Sequence, residues 1–223
     1  KNKRLSMISI QNKFLTKVVM LLGLQFICYL FTSIIVHALP SVIAFEQTNY
    51  YLIFIAVLAV FCISYTVTYF PNVLRKRIPA YSLYAVFTLF LAYILSFSMH
   101  YYDPQIVLTW IILCCAVILS LVIYSMTTKT ELDFLYAFFC IFGSVFMFGL
   151  IVGFYFREGL WGLFSLCMGT LLFGVYLIYD VKDIIKNTEG RYCLDDYILA
   201  AMSLYIDVFG IVISVLKIIS NKG

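Results

Sequence analysis

The chain has 223 residues, of which 64% are hydrophobic and only 12% charged, and it carries a net charge of +4 with a mean hydropathy of +1.03. A soluble domain carries about 25% charged residues, so this surface is too apolar for water and its solvent is largely lipid. The composition excludes a soluble enzyme or a nucleic-acid-binding module and points to an all-α integral membrane protein.

In chain order, apolar stretches long enough to cross a bilayer as helices recur, about 20 residues being needed. Seven transmembrane helices are expected, over residues 14–38, 50–70, 79–99, 104–127, 133–156, 159–186 and 195–219. The breaks coincide with stop signals: Pro40; Pro71 and Pro79 flanking Arg75-Lys76-Arg77; Asp103-Pro104; Lys129 to Asp133; and Arg157-Glu158-Gly159. A β-barrel is excluded because no alternating segments of strand length occur. The expected organisation is a basic segment at 1–13, a single membrane domain at 14–219 and a short tail at 220–223. No cleavable secretory signal is read ahead of the first span, while Lys1 in first place leaves N-terminal processing open.

Charge then sets an expected orientation. Lys1, Lys3, Arg4, Lys13, Lys17, Arg75, Lys76, Arg77, Lys129, Lys182, Lys186 and Arg191 all fall on the N-terminal side of a seven-span chain. Only Arg157, Lys217 and Lys222 fall on the other, which predicts an N-terminus on the cytoplasmic or matrix side. Gly149 and Gly153 form a pair that lets two helices approach closely, and Gly169 and Gly174 thin the sixth span. In the seventh, Ala200, Ser203, Asp207, Gly210 and Ser214 share one face, which is expected to point into the bundle.

Two acids lie inside these apolar runs, Asp180 after Tyr176-Leu177-Ile178-Tyr179 and Asp207 after Leu204-Tyr205-Ile206. A carboxylate at membrane depth is costly and marks a functional site by default. Asp207 lies about 18 Å into its span, near mid-membrane. Asp180 reaches a similar depth if the sixth helix continues to about Lys186 with its basic residues snorkelling to the interface. Two facing carboxylates in a low dielectric share a proton and titrate as a unit, and when deprotonated they attract a hard cation such as calcium. A protonated, hydrogen-bonded pair that only locks two helices is the other reading. The seven cysteines form no C-x-x-C pair and read as packing residues, His37 and His100 read as interfacial, and the 18 Tyr and 21 Phe read as belt and core. No cofactor or nucleic-acid partner is expected.

The runs Phe173 to Asp180 and Ile198 to Asp207 resemble the transmembrane Bax-inhibitor-motif family, and within it the Lifeguard and Golgi anti-apoptotic branch. Weaker similarity covers Phe14 to Val19, Pro79 to Thr88 and Tyr101-Tyr102-Asp103. The resemblance implies a seven-helix fold whose last helix is central and wrapped by the other six. It further implies a pH-sensitive calcium leak in an intracellular membrane (Golgi, endoplasmic reticulum or mitochondrial inner membrane), linked to control of cell death. Asp180 and Asp207 match the family's di-aspartyl pH sensor, and Arg75 or Arg77 matches the arginine that pairs with it in the closed state. Two positions depart from the pattern: Val181 follows the first acid where the family often has threonine, and Leu91 stands where the branch commonly has a glutamate.

Three rivals are weighed. An intramembrane aspartyl protease needs Gly-x-Gly-Asp, but the chain reads Leu204-Tyr205-Ile206-Asp207, so no enzymatic activity is expected. A seven-helix receptor would need Asp-Arg-Tyr and Asn-Pro-x-x-Tyr, which are absent from the sequence. A non-conducting subunit of a larger membrane assembly, contacting lipid and other membrane proteins, is the remaining alternative.

Overall fold

A computed structural model describes residues 2–70, 75–99, 104–128, 133–156, 160–187 and 196–206; the side chains of residues 2–10, 40, 77, 104, 156, 160 and 185–187 are outside that description. The described residues form helices and no strand. We label these α1 (Asn2–Ala38), α2 (Pro40–Thr48), α3 (Tyr51–Tyr69), α4 (Arg77–Ser98), α5 (Pro104–Thr127), α6 (Phe134–Phe156), α7 (Leu160–Asn187) and α8 (Tyr197–Ile206). Six of them (α1 and α3 to α7) are long and apolar enough to cross a membrane, so the chain is a multi-pass membrane protein.

The second to sixth expected spans each coincide with one of these helices to within two residues, and the first ends with α1 at residue 38, although α1 starts twelve residues earlier, at Asn2. The seventh is described only over its first part, and its continuation to 219 lies outside the described residues, as does the tail at 220–223. One element was not expected. Pro40, read as a stop, also starts α2, where it occupies the first turn and its missing N–H removes no helical bond.

Side-chain contacts fix the helix directions. Near one end, Asn12 Nδ2 of α1 donates to Thr128 O beyond α5 at 3.0 Å, and Thr16 Oγ1 donates to Ser125 Oγ of α5 at 3.2 Å. There too, Lys17 Nζ lies 4.8 Å above the Tyr197 ring of α8, and the hydroxyls of Tyr81 and Tyr197 hydrogen-bond at 2.8 Å. The same end therefore gathers the starts of α1, α4 and α8 and the end of α5. Lys13, Lys17, Arg75 and Lys76 lie there, so these four of the twelve basic residues expected on one side share an end.

The centre is a knot of rings. Tyr205 of α8 meets Tyr29, Phe87 and Phe26 at centroid distances of 5.6, 5.8 and 6.1 Å, and Phe26 meets Phe173 of α7 at 5.8 Å. Ala200, Ala201, Met202 and Leu204 are buried as well, so the described part of α8 is enclosed by its neighbours. The helices on the outside, such as α3, present Phe54, Leu58 and Phe61 outward, which places them against lipid.

The expected glycine approach is present. A Cβ built at Gly149 would lie 2.8 Å from Cys167 Sγ, and one at Gly153 would lie 2.5 Å from Leu163 Cδ2, so both glycines of α6 lie close against α7. Gly174 of α7 is tighter in kind, with Ile141 Cγ2 at 2.7 Å and Val117 Cγ1 at 3.3 Å from two other helices. The described cysteines are all free; Cys114 packs in the core, Cys115 and Cys167 are half-buried, and Cys28, Cys62 and Cys140 are exposed.

Candidate functional site: buried polar groups of the bundle

Asp180 lies inside α7, which continues past it to Asn187 as the depth argument required. Leu177, Ile178 and Val181 around it are buried while Tyr176 and Tyr179 are exposed, and Asp180 itself is half-buried. It thus stands at the margin of the inward face. Asp207 lies outside the described residues, as does the side chain of Arg77. Gly210 and Ser214 of the expected stripe lie outside as well. Of its other members, Ala200 is buried and Ser203 half-buried, its hydroxyl donating to Ala200 O at 3.0 Å.

Arg75 is half exposed, and its Nε lies 3.6 Å from Asp196 Oδ2, whose side chain is only 5% exposed. This is an ion pair rather than a close hydrogen bond. Asp196 immediately precedes α8, and its backbone carbonyl accepts the Ala200 N–H at 3.0 Å, so the arginine grips the start of the last helix. Sequence reasoning had singled out Arg75 but not Asp196; the signal available was an acid capping a helix opposite a basic loop.

A second set of buried polar groups runs between α1 and α4. Tyr84 OH donates to Leu21 O at 2.7 Å, Gln25 Nε2 to Thr88 Oγ1 at 3.2 Å, and Ser33 Oγ to Met99 Sδ at 3.6 Å. Both numbers in each pair rise together, so the two helices run in the same direction, as first and third crossings must. At the end away from Arg75, Ser96 Oγ donates to Glu46 Oε1 of α2 at 2.6 Å, and Glu46 is 3% exposed. Leu91, at the position of the branch's glutamate, is buried and apolar. The described residues contain no group of three or more His, Cys, Asp or Glu that could hold a metal ion.

The chain matches the family described as "Inhibitor of apoptosis-promoting Bax1" over residues 11–223. It belongs to the Bax-inhibitor family. It is similar to Protein LIFEGUARD 2 of Arabidopsis thaliana, with 27% identity over 92% of this chain and 86% of that protein. Human Protein lifeguard 3 is 23% identical over 96% of this chain and 70% of its own length. LIFEGUARD 4 of Arabidopsis thaliana is 30% identical over 65% of this chain, which spans 58% of that relative. No solved structure gives a significant match. Membership in the family links the chain to regulation of cell death.

Proposed function

We propose that this protein is a pH-sensitive calcium leak of an intracellular organelle membrane, with Asp180 and Asp207 as its proton-sensing pair. The observation that carries the reading is Asp180, a carboxylate at the margin of the inward face of an apolar membrane helix, in a chain of this family. Seven crossings, a central last helix and an N-terminus on the cytoplasmic or matrix side belong to the proposal, and the burial of α8 together with the shared basic end supports them. No enzymatic step or cofactor is invoked; calcium is cargo.

Gating runs through charge. When the pair is ionised, a nearby arginine is drawn to it and the bundle is held closed; protonation removes that attraction and shifts the equilibrium towards an open state. Flux is therefore expected to rise as pH falls through the titration of the pair. Arg75 suits the gating role because its carboxylate partner Asp196 immediately precedes α8, whose last described residue is the neighbour of Asp207 in sequence. Purified protein in liposomes loaded with a calcium dye should show this pH dependence, and the Asp180→Asn, Asp207→Asn double variant should lose it. A double variant with the parent's pH profile would sink the reading.

The apolar Leu91 favours the second reading, a non-conducting subunit of a larger membrane assembly. That reading expects a fixed set of co-purifying membrane proteins and no flux at any pH.

A further inference from the structure

The polar groups of α1 and α4 fall at helical spacing. Gln25, Tyr29 and Ser33 on α1 are each four residues apart and all buried, and Tyr84, Thr88 and Ser96 on α4 follow the same repeat with Ala92 between them. Residues spaced by four stack along one helix face, and the hydrogen bonds between the two sets show that these faces meet. From Tyr84 to Ser96 the stripe covers about 18 Å of helix axis, more than half of a hydrocarbon core of about 30 Å.

Two features set this seam apart from a satisfied structural contact. Thr88 spends its hydroxyl proton on Tyr84 O at 2.8 Å, so towards Gln25 it can only accept. That fixes the amide with nitrogen towards Thr88 and leaves Gln25 Oε1 fully buried with no hydrogen-bond donor among the described residues. Burying such a carbonyl at mid-membrane is expensive unless a donor or a cation meets it, and none of the described residues supplies a donor. The seam also ends on a carboxylate: Glu46 at Ser96, with the buried Tyr93 hydroxyl one turn before it lacking a partner among the described residues.

We propose that the seam between α1 and α4 is a polar route for a hard, oxygen-seeking cation of the calcium class, with Glu46 as the carboxylate at its mouth and Gln25 Oε1 as a mid-membrane ligand. The proposal rests on the leak reading for its direction of transport, but it places the route at residues separate from the proton-sensing pair. One carboxylate with scattered neutral oxygens binds a divalent cation far more weakly than a dedicated cage of several carboxylates does. Weak sites in series are what conduction requires, because an ion held tightly does not leave. The mouth faces the end of the bundle away from the basic side, so a cation approaching there meets a carboxylate before it meets the lysines and Arg75.

Calcium flux into dye-loaded liposomes tests the assignment with Glu46→Gln, Gln25→Leu and Ser144→Ala. Glutamine keeps an acceptor for Ser96 while removing the charge, and Ser144, whose hydroxyl donates to Ile141 O at 2.8 Å, lies off the seam. The expected result is a fall of roughly tenfold in both seam variants, the scale of losing one charge-assisted or desolvated polar ligand. The pH midpoint should stay unchanged and Ser144→Ala should conduct like the parent. Parental flux in either folded seam variant overturns the route while leaving the leak reading intact; if Glu46→Gln fails to run as a monodisperse species, Gln25→Leu decides. If the parent protein carries no flux, the leak reading fails and the cation site is decided by melting. Stabilisation of the parent by millimolar calcium that Glu46→Gln abolishes keeps the site, and an equal or absent shift in both removes it.

Discussion

Two helix interfaces of this bundle are built on opposite principles. The α6–α7 interface is dry: Gly149 and Gly153 remove side chains so that Cys167 and Leu163 can approach the backbone. The α1–α4 interface is wired by side-chain hydrogen bonds through Tyr84, Gln25, Thr88 and Ser33. In lipid there is no hydrophobic drive between helices, and close packing by small residues suffices to hold two of them together. Hydrogen bonds between membrane helices contribute only about 0.6 kcal/mol on average, while an unpaired buried acceptor costs about 1–3 kcal/mol. A seam that includes the Gln25 oxygen, without a donor among the described residues, is therefore a poor device for stability alone, and the proposed route would separate helices that hold the bundle from helices that serve its use.

That separation can be broken experimentally. The largest effect is expected at Gly174→Val, because the new methyls meet the stiff Ile141 and Val117 side chains from two other helices. A loss of about 3 kcal/mol, the upper part of the overpacking range, should appear in detergent denaturation; a variant as stable as the parent would show that the interface yields. Gly153→Ala should cost less, about 1 kcal/mol, because the end of the flexible Leu163 side chain can turn away. Flux per folded molecule should be unchanged in both.

On the wet side the order reverses. Gln25→Leu should leave melting unchanged or raise it by about 1 kcal/mol, since it removes the orphaned carbonyl together with one hydrogen bond. A loss above about 2 kcal/mol would mark the residue as structural. Tyr84→Phe removes a buried hydrogen bond to Leu21 O and should cost about 1 kcal/mol. The smallest change is expected at Tyr81→Phe, which loses the exposed contact with Tyr197 and should cost about 0.5 kcal/mol. Cooperative losses of several kcal/mol at these positions would erase the distinction between the interfaces.

Much of the fold was legible from residue order because the bilayer demands it. Runs of apolar residues ended by Pro71, Asp103-Pro104 or Arg157-Glu158 can only be crossings and their breaks, and α3 to α7 follow them closely. The Gly149 and Gly153 approach was legible for a related reason, since small residues at helical spacing state in advance which face comes close. Glu46 was not: it lies in a short segment after Pro40, and nothing local says that the segment is a helix folded back onto Ser96. Asp196 was passed over for a similar reason, its meaning depending on a basic loop more than a hundred positions earlier. The four-residue repeats of Gln25 and Thr88 were present all along, but each is broken up by apolar neighbours and reads as noise until the facing helix is known.

The sequence by itself determined that the chain crosses a membrane repeatedly and where its apolar runs break, and it singled out Asp180 and Asp207 as acids within those runs. These follow from transfer energetics and charge, which depend on what a residue is and where it falls along one helix. Only the tertiary structure decided that Arg75 holds Asp196, that α1 and α4 join polar faces, and that a buried carboxylate closes their far end. Those facts are pairings between distant segments, and pairing energies arise only once two helices have chosen each other's faces.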